Sequence, residues 1–226
     1  MTTISTPPQF VYSLYFGDTI SIIENINFSS PSVTQLAATE NGNVYVVWVD
    51  NNILYFRSSP DHGSKFNIPI ILSENVSLTS SSSPQLAATE NGNVYVVWVD
   101  KKNNNSTNGG DTDIAFKWSK DAGNTFSSKK LSRGLNVSSL SPQLATTENG
   151  NVYVVWPNNF TQFKEILGNN SIFGETININ NDTNSNYPQI AATNDGNIYI
   201  ISIANKNNTD NEKTLYFKRI SNFLFD

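Results

Sequence analysis

The chain has 226 residues, a formal net charge of -5, one His and no Cys. Without Cys there is no disulfide framework, thiol nucleophile or Cys-ligated zinc, and with His62 alone a multi-His metal site is excluded. The acidic balance argues against a nucleic-acid groove, and no run approaches the roughly 18 apolar residues of a membrane span.

The start, Met1 to Gln9, has neither a charged nor an apolar leader pattern. The first predicted element is a strand at Phe16-Gly17-Asp18-Thr19-Ile20-Ser21-Ile22. Next comes Gln35–Asp50, QLAATENGNVYVVWVD. It reads as a hairpin: a short strand, a type I′ turn at Asn41-Gly42, and a strand over Val44–Val49. That second strand is apolar on both faces, which predicts burial on both. A third strand ends at Phe56, and a fourth spans Phe66–Ser73.

The same sixteen residues return at Gln85–Asp100. An Asn-rich loop, Lys101–Asp111, leads to a third strand ending at Phe116, and Phe126 opens the fourth. Gln143–Trp156 is the next copy, with Thr146 its only change, followed by strands ending at Phe163 and beginning at Phe173. Asn180–Asn186 reads as a loop, Gln189–Ser202 as a drifted copy, and the last third strand ends at Phe217.

The copies start at 35, 85, 143 and 189, and a second Phe follows the first by ten residues in three of them. The fourth lacks that second Phe, but Phe16–Ile22 matches Phe173–Ile179, so the N-terminus supplies the strand that the C-terminus lacks. Self-similarity of this period predicts an all-β propeller of four four-stranded antiparallel blades. The repeats cover about 35–84, 85–142, 143–188 and 189–226, the last completed by 10–30, in one domain over 1–226. The N-terminal strand is expected to pair with the C-terminal blade, closing the ring and removing its open edge.

Between the third and fourth strands of the second copy stands Ser119-Lys120-Asp121-Ala122-Gly123-Asn124-Thr125-Phe126. This resembles the Asp-box motif, S-x-D-x-G-x-T-[WF], of the sialidase-type (bacterial neuraminidase repeat) β-propellers. Ser59, Asp61, Gly63 and Phe66 form a second copy with Lys65 in place of Thr, while Gly168–Phe173 has lost both the Asp and the Gly. The resemblance covers nearly the whole chain from Phe16 onward. It implies a structural turn away from any active site, and an extracellular or cell-surface setting.

It also implies what a sialidase would need: three Arg around a carboxylate, a Tyr–Glu nucleophile pair and an Asp acid/base. The chain has three Arg, namely Arg57, Arg133 and Arg219. Arg57 is in phase with Lys117 and Lys218, which reads as a recurring surface cation. Glu40, Glu90 and Glu148 recur beside the Asn-Gly turns and read as solvated. Glu165, Asp113 and Asp182 break the repeat, as a site made once should, yet no partner is identifiable for them in the sequence.

The predicted function is therefore a non-enzymatic binding or scaffold propeller that holds a glycan or a protein through one face. The alternative is a divergent glycoside hydrolase of sialidase type. No catalytic residue, metal site or cofactor is assigned. Candidate ligand contacts are Trp48, Trp98 and Trp156, which share one register that Ser202 occupies in the fourth copy, with Asp50, Asp100 and Asn158 two residues on. The competing reading for the Trp residues is packing between blades. Asp111-Thr112-Asp113 lacks a full calcium-loop spacing.

Overall fold

A computed structural model describes residues 17–22, 33–74, 76, 83–101, 112–132, 141–158, 160–167, 172–180, 186–205 and 212–221. They form four antiparallel sheets and no helix. Blade 1 is β1 (Thr34–Ala38), β2 (Val44–Asp50), β3 (Ile53–Ser59) and β4 (Ile70–Ser73), paired in that order. Blade 2 repeats it with β5 (Gln85–Ala88), β6 (Val94–Lys101), β7 (Thr112–Ser119) and β8 (Ser127–Lys130).

Blade 3 has β9 (Gln143–Thr146), β10 (Val152–Pro157) and β11 (Thr161–Leu167), and its outer strand is split in two. Both β12 (Ile172–Phe173) and β13 (Ile177–Asn178) pair with β11. Blade 4 contains β14 (Asn186–Ala192), β15 (Ile198–Asn205) and β16 (Lys213–Ile220). The uniform four-stranded blades expected from the sequence are thus realised in blades 1 and 2. Blade 3 counts five strands because its outer edge is interrupted, and blade 4 has three among the described residues.

The doubly apolar second strand of each hairpin explains how the blades stack. Successive side chains on a strand point to opposite faces. Tyr45, Val47 and Val49 face blade 2, where they join Leu54 and Phe56 against Val94, Val96 and Trp98. Tyr95, Val97 and Val99 do the same with Ile114 and Phe116 against Val152, Val154 and Trp156. Tyr153, Val155 and Phe163 meet Ile198 and Ile200. Each seam is an apolar layer formed by two second strands, so the core lies between sheets.

The spaced Phe residues lock the same seams. Phe126 of blade 2 packs edge-on against Phe56 of blade 1, with ring centroids 5.0 Å apart. Phe173 of blade 3 packs edge-on against Phe116 of blade 2 at 6.5 Å. Such edge-to-face contacts suit the ring quadrupoles.

No apolar cluster joins blade 4 to blade 1 among the described residues. Leu215 and Phe217 stand where Leu54 and Phe56 stand in blade 1, but they are 66% and 67% exposed. Leu36 of blade 1 is 67% exposed, whereas its counterparts Leu86 and Leu144 pack against the preceding blade. The expected N-terminal strand falls partly outside the described residues, and Gly17–Ile22 has no strand pairing. One contact places its end: the Arg57 guanidinium donates to the Ile22 carbonyl.

The Asn-Gly turn differs from the type I′ expectation. Only Gly42 has positive φ, at 88°, while its N–H bonds Thr39 O and Thr39 N–H bonds Asn43 O. This is a type I turn followed by a glycine bulge. The Thr39 hydroxyl donates to Asn41 Oδ1, which also accepts the Asn43 N–H, so the Asn side chain is used inside the turn. The positive-φ pair lies instead at Asn51-Asn52, φ 49° and 66°, in the two-residue link from β2 to β3.

Candidate functional site

Two ends of the blade stack can be distinguished by chemistry. At one end the Asn-Gly turns and the S-x-D-x-G turns interlock. The Ser119 hydroxyl donates to Asp121 Oδ1 at 2.6 Å and accepts the Gly123 N–H at 2.8 Å. Asp121 accepts the Thr125 N–H at 2.9 Å and the Thr125 hydroxyl at 2.6 Å. Ser59, Asp61 and Gly63 repeat this pattern, with Lys65 N–H reaching Asp61 at 2.9 Å. Each turn then donates to the neighbouring hairpin of its own blade: His62 N–H to Gly42 O and Ala122 N–H to Gly92 O.

The recurring Glu residues sit at this end, and the carboxylates of Glu90 and Glu148 are not merely solvated. The Glu90 carboxylate accepts the N–H groups of Glu40 and Asn41, and Asn41 Nδ2 donates to Glu90 O at 2.9 Å. Glu148 accepts the Glu90 N–H at 3.2 Å, and Asn194 Oδ1 accepts the Glu148 N–H at 2.9 Å. The turns form a ladder in which each blade's carboxylate or amide caps the turn before it.

Hydrogen bonding also sets the charge states here. The Ser119 hydroxyl, then the Thr125 hydroxyl, hold Asp121 below the ordinary carboxylate range, and Ser59 and the Lys65 N–H do the same for Asp61. Glu165, on the third strand of blade 3, is pushed up by burial. The two effects have opposite pH signatures. The Asp121 contribution is present above the ordinary Asp pKa and is lost as pH falls through its lowered value. The Glu165 carboxylate is a penalty present above its raised pKa and absent when it is protonated. Glu165→Gln is therefore expected to raise the urea midpoint at pH 7, with the gain vanishing near about pH 4. A gain of equal size at both pH values would show that Glu165 acts through packing alone.

The opposite end carries the Trp and Asp rows. Trp48, Trp98 and Trp156 are 1%, 3% and 0% exposed, with Trp98 packed against blade 1 and Trp156 against blade 2. Trp48 stacks on Tyr55 at 5.3 Å, Trp98 Nε1 donates to Asp100 at 3.3 Å, and Trp156 Nε1 donates to Gln162 at 2.8 Å. Asp50 is buried, and its Oδ1 has no hydrogen-bond partner in the structure. Asp100 is half-buried and accepts the Ser73 hydroxyl at 2.9 Å. Asn158 is half-buried and donates its N–H to Phe160 O at 2.9 Å. The three polar groups thus leave the same end of three successive central strands, above the layer of Trp rings.

The cations in phase are staples between blades. Lys117 Nζ donates to Leu72 O of blade 1 at 2.7 Å, and Lys218 Nζ to Ile179 O of blade 3 at 3.2 Å. Arg57 reaches Ile22, which occupies the matching place in the N-terminal segment, and also Asn67 O at 2.6 Å and Phe66 O at 3.1 Å. Burial lowers the Lys117 pKa. Arg219 forks onto Asn197 Oδ1 at 2.8 and 3.1 Å in the blade 4 turn. Arg133, Asp182 and Asp111 lie outside the described residues, and Asp113, 1% exposed, is paired with Lys130 at 2.6 Å. Among the described residues no three acidic or His side chains gather closely enough to hold a metal ion.

No family model and no curated protein matches the sequence. Solved structures do match in fold. A Fusarium graminearum GH93 α-L-arabinofuranosidase in complex with arabinobiose aligns with a TM-score of 0.55 at 12% identity, over 84% of this chain and 62% of that one. A polysaccharide lyase of family PL25, an ulvan lyase, gives 0.54 at 15%, over 82% and 52%. A Hadza microbial sialidase gives 0.51 at 14%, over 82% and 43%. This chain therefore spans about half the length of the structures it resembles. At these identities the likeness establishes the fold alone, that of a β-propeller built from antiparallel blades.

Proposed function

We propose that the chain is a non-enzymatic glycan-binding propeller module whose ligand face is the end bearing Asp50, Asp100 and Asn158, with Trp48, Trp98 and Trp156 as the layer beneath. The observation that carries this reading is the engagement of the described arginines. Arg57 is spent on three backbone carbonyls and Arg219 on Asn197, on the third strands of blades 1 and 4. A hydrolase that clamps a carboxylate needs such forks free and convergent. Similarity to a lyase, a sialidase and an arabinofuranosidase supports a carbohydrate as ligand class.

The two S-x-D-x-G turns at Ser59–Phe66 and Ser119–Phe126 are, on this reading, Asp-box turns with a structural role. The ring is closed by the seam between blades 4 and 1, with the N-terminal segment as the missing fourth strand. Three features support closure. Ile22 stands before Arg57 as Leu72 stands before Lys117. Leu215 and Phe217 present the face that Leu54 and Phe56 bury elsewhere. The turn ladder leaves blade 4 as its one uncapped turn among the described blades, and Glu40 as the carboxylate that would cap it.

The test is a glycan array spanning neutral and acidic sugars, with released sugar assayed from the same wells. Binding without release is expected, weakened at least tenfold in an Asp50→Asn, Asn158→Ala double variant. Release of sugar would favour the hydrolase reading. Neither binding nor release would leave a protein-binding scaffold.

A further inference from the structure

The seam between blades 3 and 4 is the one described seam in which the repeated indole is absent. Ser202 occupies the register of Trp48, Trp98 and Trp156 and lies opposite Tyr216, as Trp48 lies opposite Tyr55. A cavity of about 430 Å³ opens there, lined by Ile179, Asn180, Ile200, Ser202, Tyr216 and Lys218 among others. That volume lies within the usual range of small-ligand clefts, about 300–1,000 Å³. Ser202 is 1% exposed, and its Oγ has no hydrogen-bond partner in the structure. A buried hydroxyl left unpaired is costly, so this atom is poised for a partner that the protein does not supply.

The neighbouring seams specify the occupant. In each of them the same space holds an indole, pressed on the aliphatic side chain that Ile200 replaces here. In blade 1 the ring stacks on Tyr55 with an interplanar angle of 13°. In blades 2 and 3 its N–H donates to a side-chain oxygen. Blade 4 keeps the aliphatic floor in Ile200, the aromatic platform in Tyr216 and an acceptor in Ser202 Oγ. We propose that this cavity is a binding site for a planar aromatic group of indole size, stacked on Tyr216 and donating its N–H to Ser202 Oγ. Lys218, already bonded to Ile179 O, stands at the same lining and adds a cation beside the ring. Apolar cavities left by a missing side chain do bind aromatic molecules of matching shape. The inference is independent of the glycan face, which lies on other residues.

The same ring chemistry can arrive as a free molecule or as a Trp side chain of a peptide. The test is fluorine NMR of 5-fluoroindole, and separately of a short peptide carrying 5-fluorotryptophan, titrated with the full chain. Saturable line broadening by the wild type is expected. Ser202→Trp, which fills the hole from within, is expected to weaken binding at least tenfold and to raise Tm by roughly 2–4 °C. Tyr216→Leu keeps an apolar wall without the platform and is expected to weaken binding at least fivefold, which covers the case of a misfolded Ser202→Trp. Response to indole supports the site with a free aromatic as its ligand, and response to the peptide alone supports it with a partner's side chain. No response to either probe up to its solubility limit, or equal binding by wild type, Ser202→Trp and Tyr216→Leu, would overturn the proposal.

Discussion

Trp156→Ala is expected to cost about 3–5 kcal/mol of stability, read as a fall in the urea midpoint with an unchanged slope. Trp156 is fully buried, in the layer where blade 2 meets blade 3. Truncation removes its transfer free energy and leaves a hole that the flanking strands cannot close, because their spacing is fixed by Val152 and Val154. It also deprives Gln162 Oε1 of its donor at 2.8 Å, a loss of about 1 kcal/mol. Trp156→Phe should therefore keep more than half of the lost stability while still leaving Gln162 unpaired. If Trp156→Ala costs less than about 1 kcal/mol, the seam is not the close-packed layer that its burial indicates. Blade 4 shows how the fold manages without the ring: Ser202 stands there above an open cavity, and that seam is held by Ile198, Ile200, Tyr153 and Phe163.

Much of this architecture is legible in the sequence because the repeat is physical. A strand reading VYVVWV can be buried on both faces only if sheets pack on both sides, which is what the three seams provide for blades 2 and 3. The ten-residue Phe spacing marks the third and fourth strands, and the edge-on pairs across seams explain its recurrence. The turn type was harder to read. Asn-Gly is compatible with either a type I′ turn or a type I turn with a glycine bulge, and the choice is made by the Thr39 hydrogen bonds, which lie outside the dipeptide.

The site was less legible, for a reason that follows from the same repeat. Glu90 and Glu148 look solvated one copy at a time, since the backbone groups their carboxylates accept from lie 49 to 58 residues away in the preceding blade. Lys117 and Lys218 look like surface cations until their acceptors on the preceding blade are known, and Arg57 until its acceptor on the N-terminal segment is known. The substitution of Trp by Ser202 is plain in the sequence. Its consequence, an unfilled seam, depends on Ile179 and Tyr216 holding their places, which no local pattern reveals.

Gly123→Ala is expected to cost about 3 kcal/mol. Gly123 has φ +85°, where a Cβ is strained by about 1 kcal/mol, and the added carbon would overlap the buried ring of Phe56 in the preceding blade. That ring is fully buried among Tyr45, Leu54 and Phe126, so it has nowhere to move. Gly63 is the matching residue of blade 1, at φ +82°, and among the described residues a Cβ there meets only Val44 Cγ2 at 3.9 Å. The two glycines share a turn and a strain, and they differ in whether a Phe from the preceding blade lies above them. Phe217 is the residue that would lie above Gly63 once blade 4 meets blade 1. Ring closure therefore predicts that Gly63→Ala costs as much as Gly123→Ala, with both midpoints falling together in urea. A Gly63→Ala cost of only about 1 kcal/mol, the strain alone, would mean that the seam stays open. The apolar faces at Leu36 and at Leu215 and Phe217 would then have to be covered by further blades or by another chain.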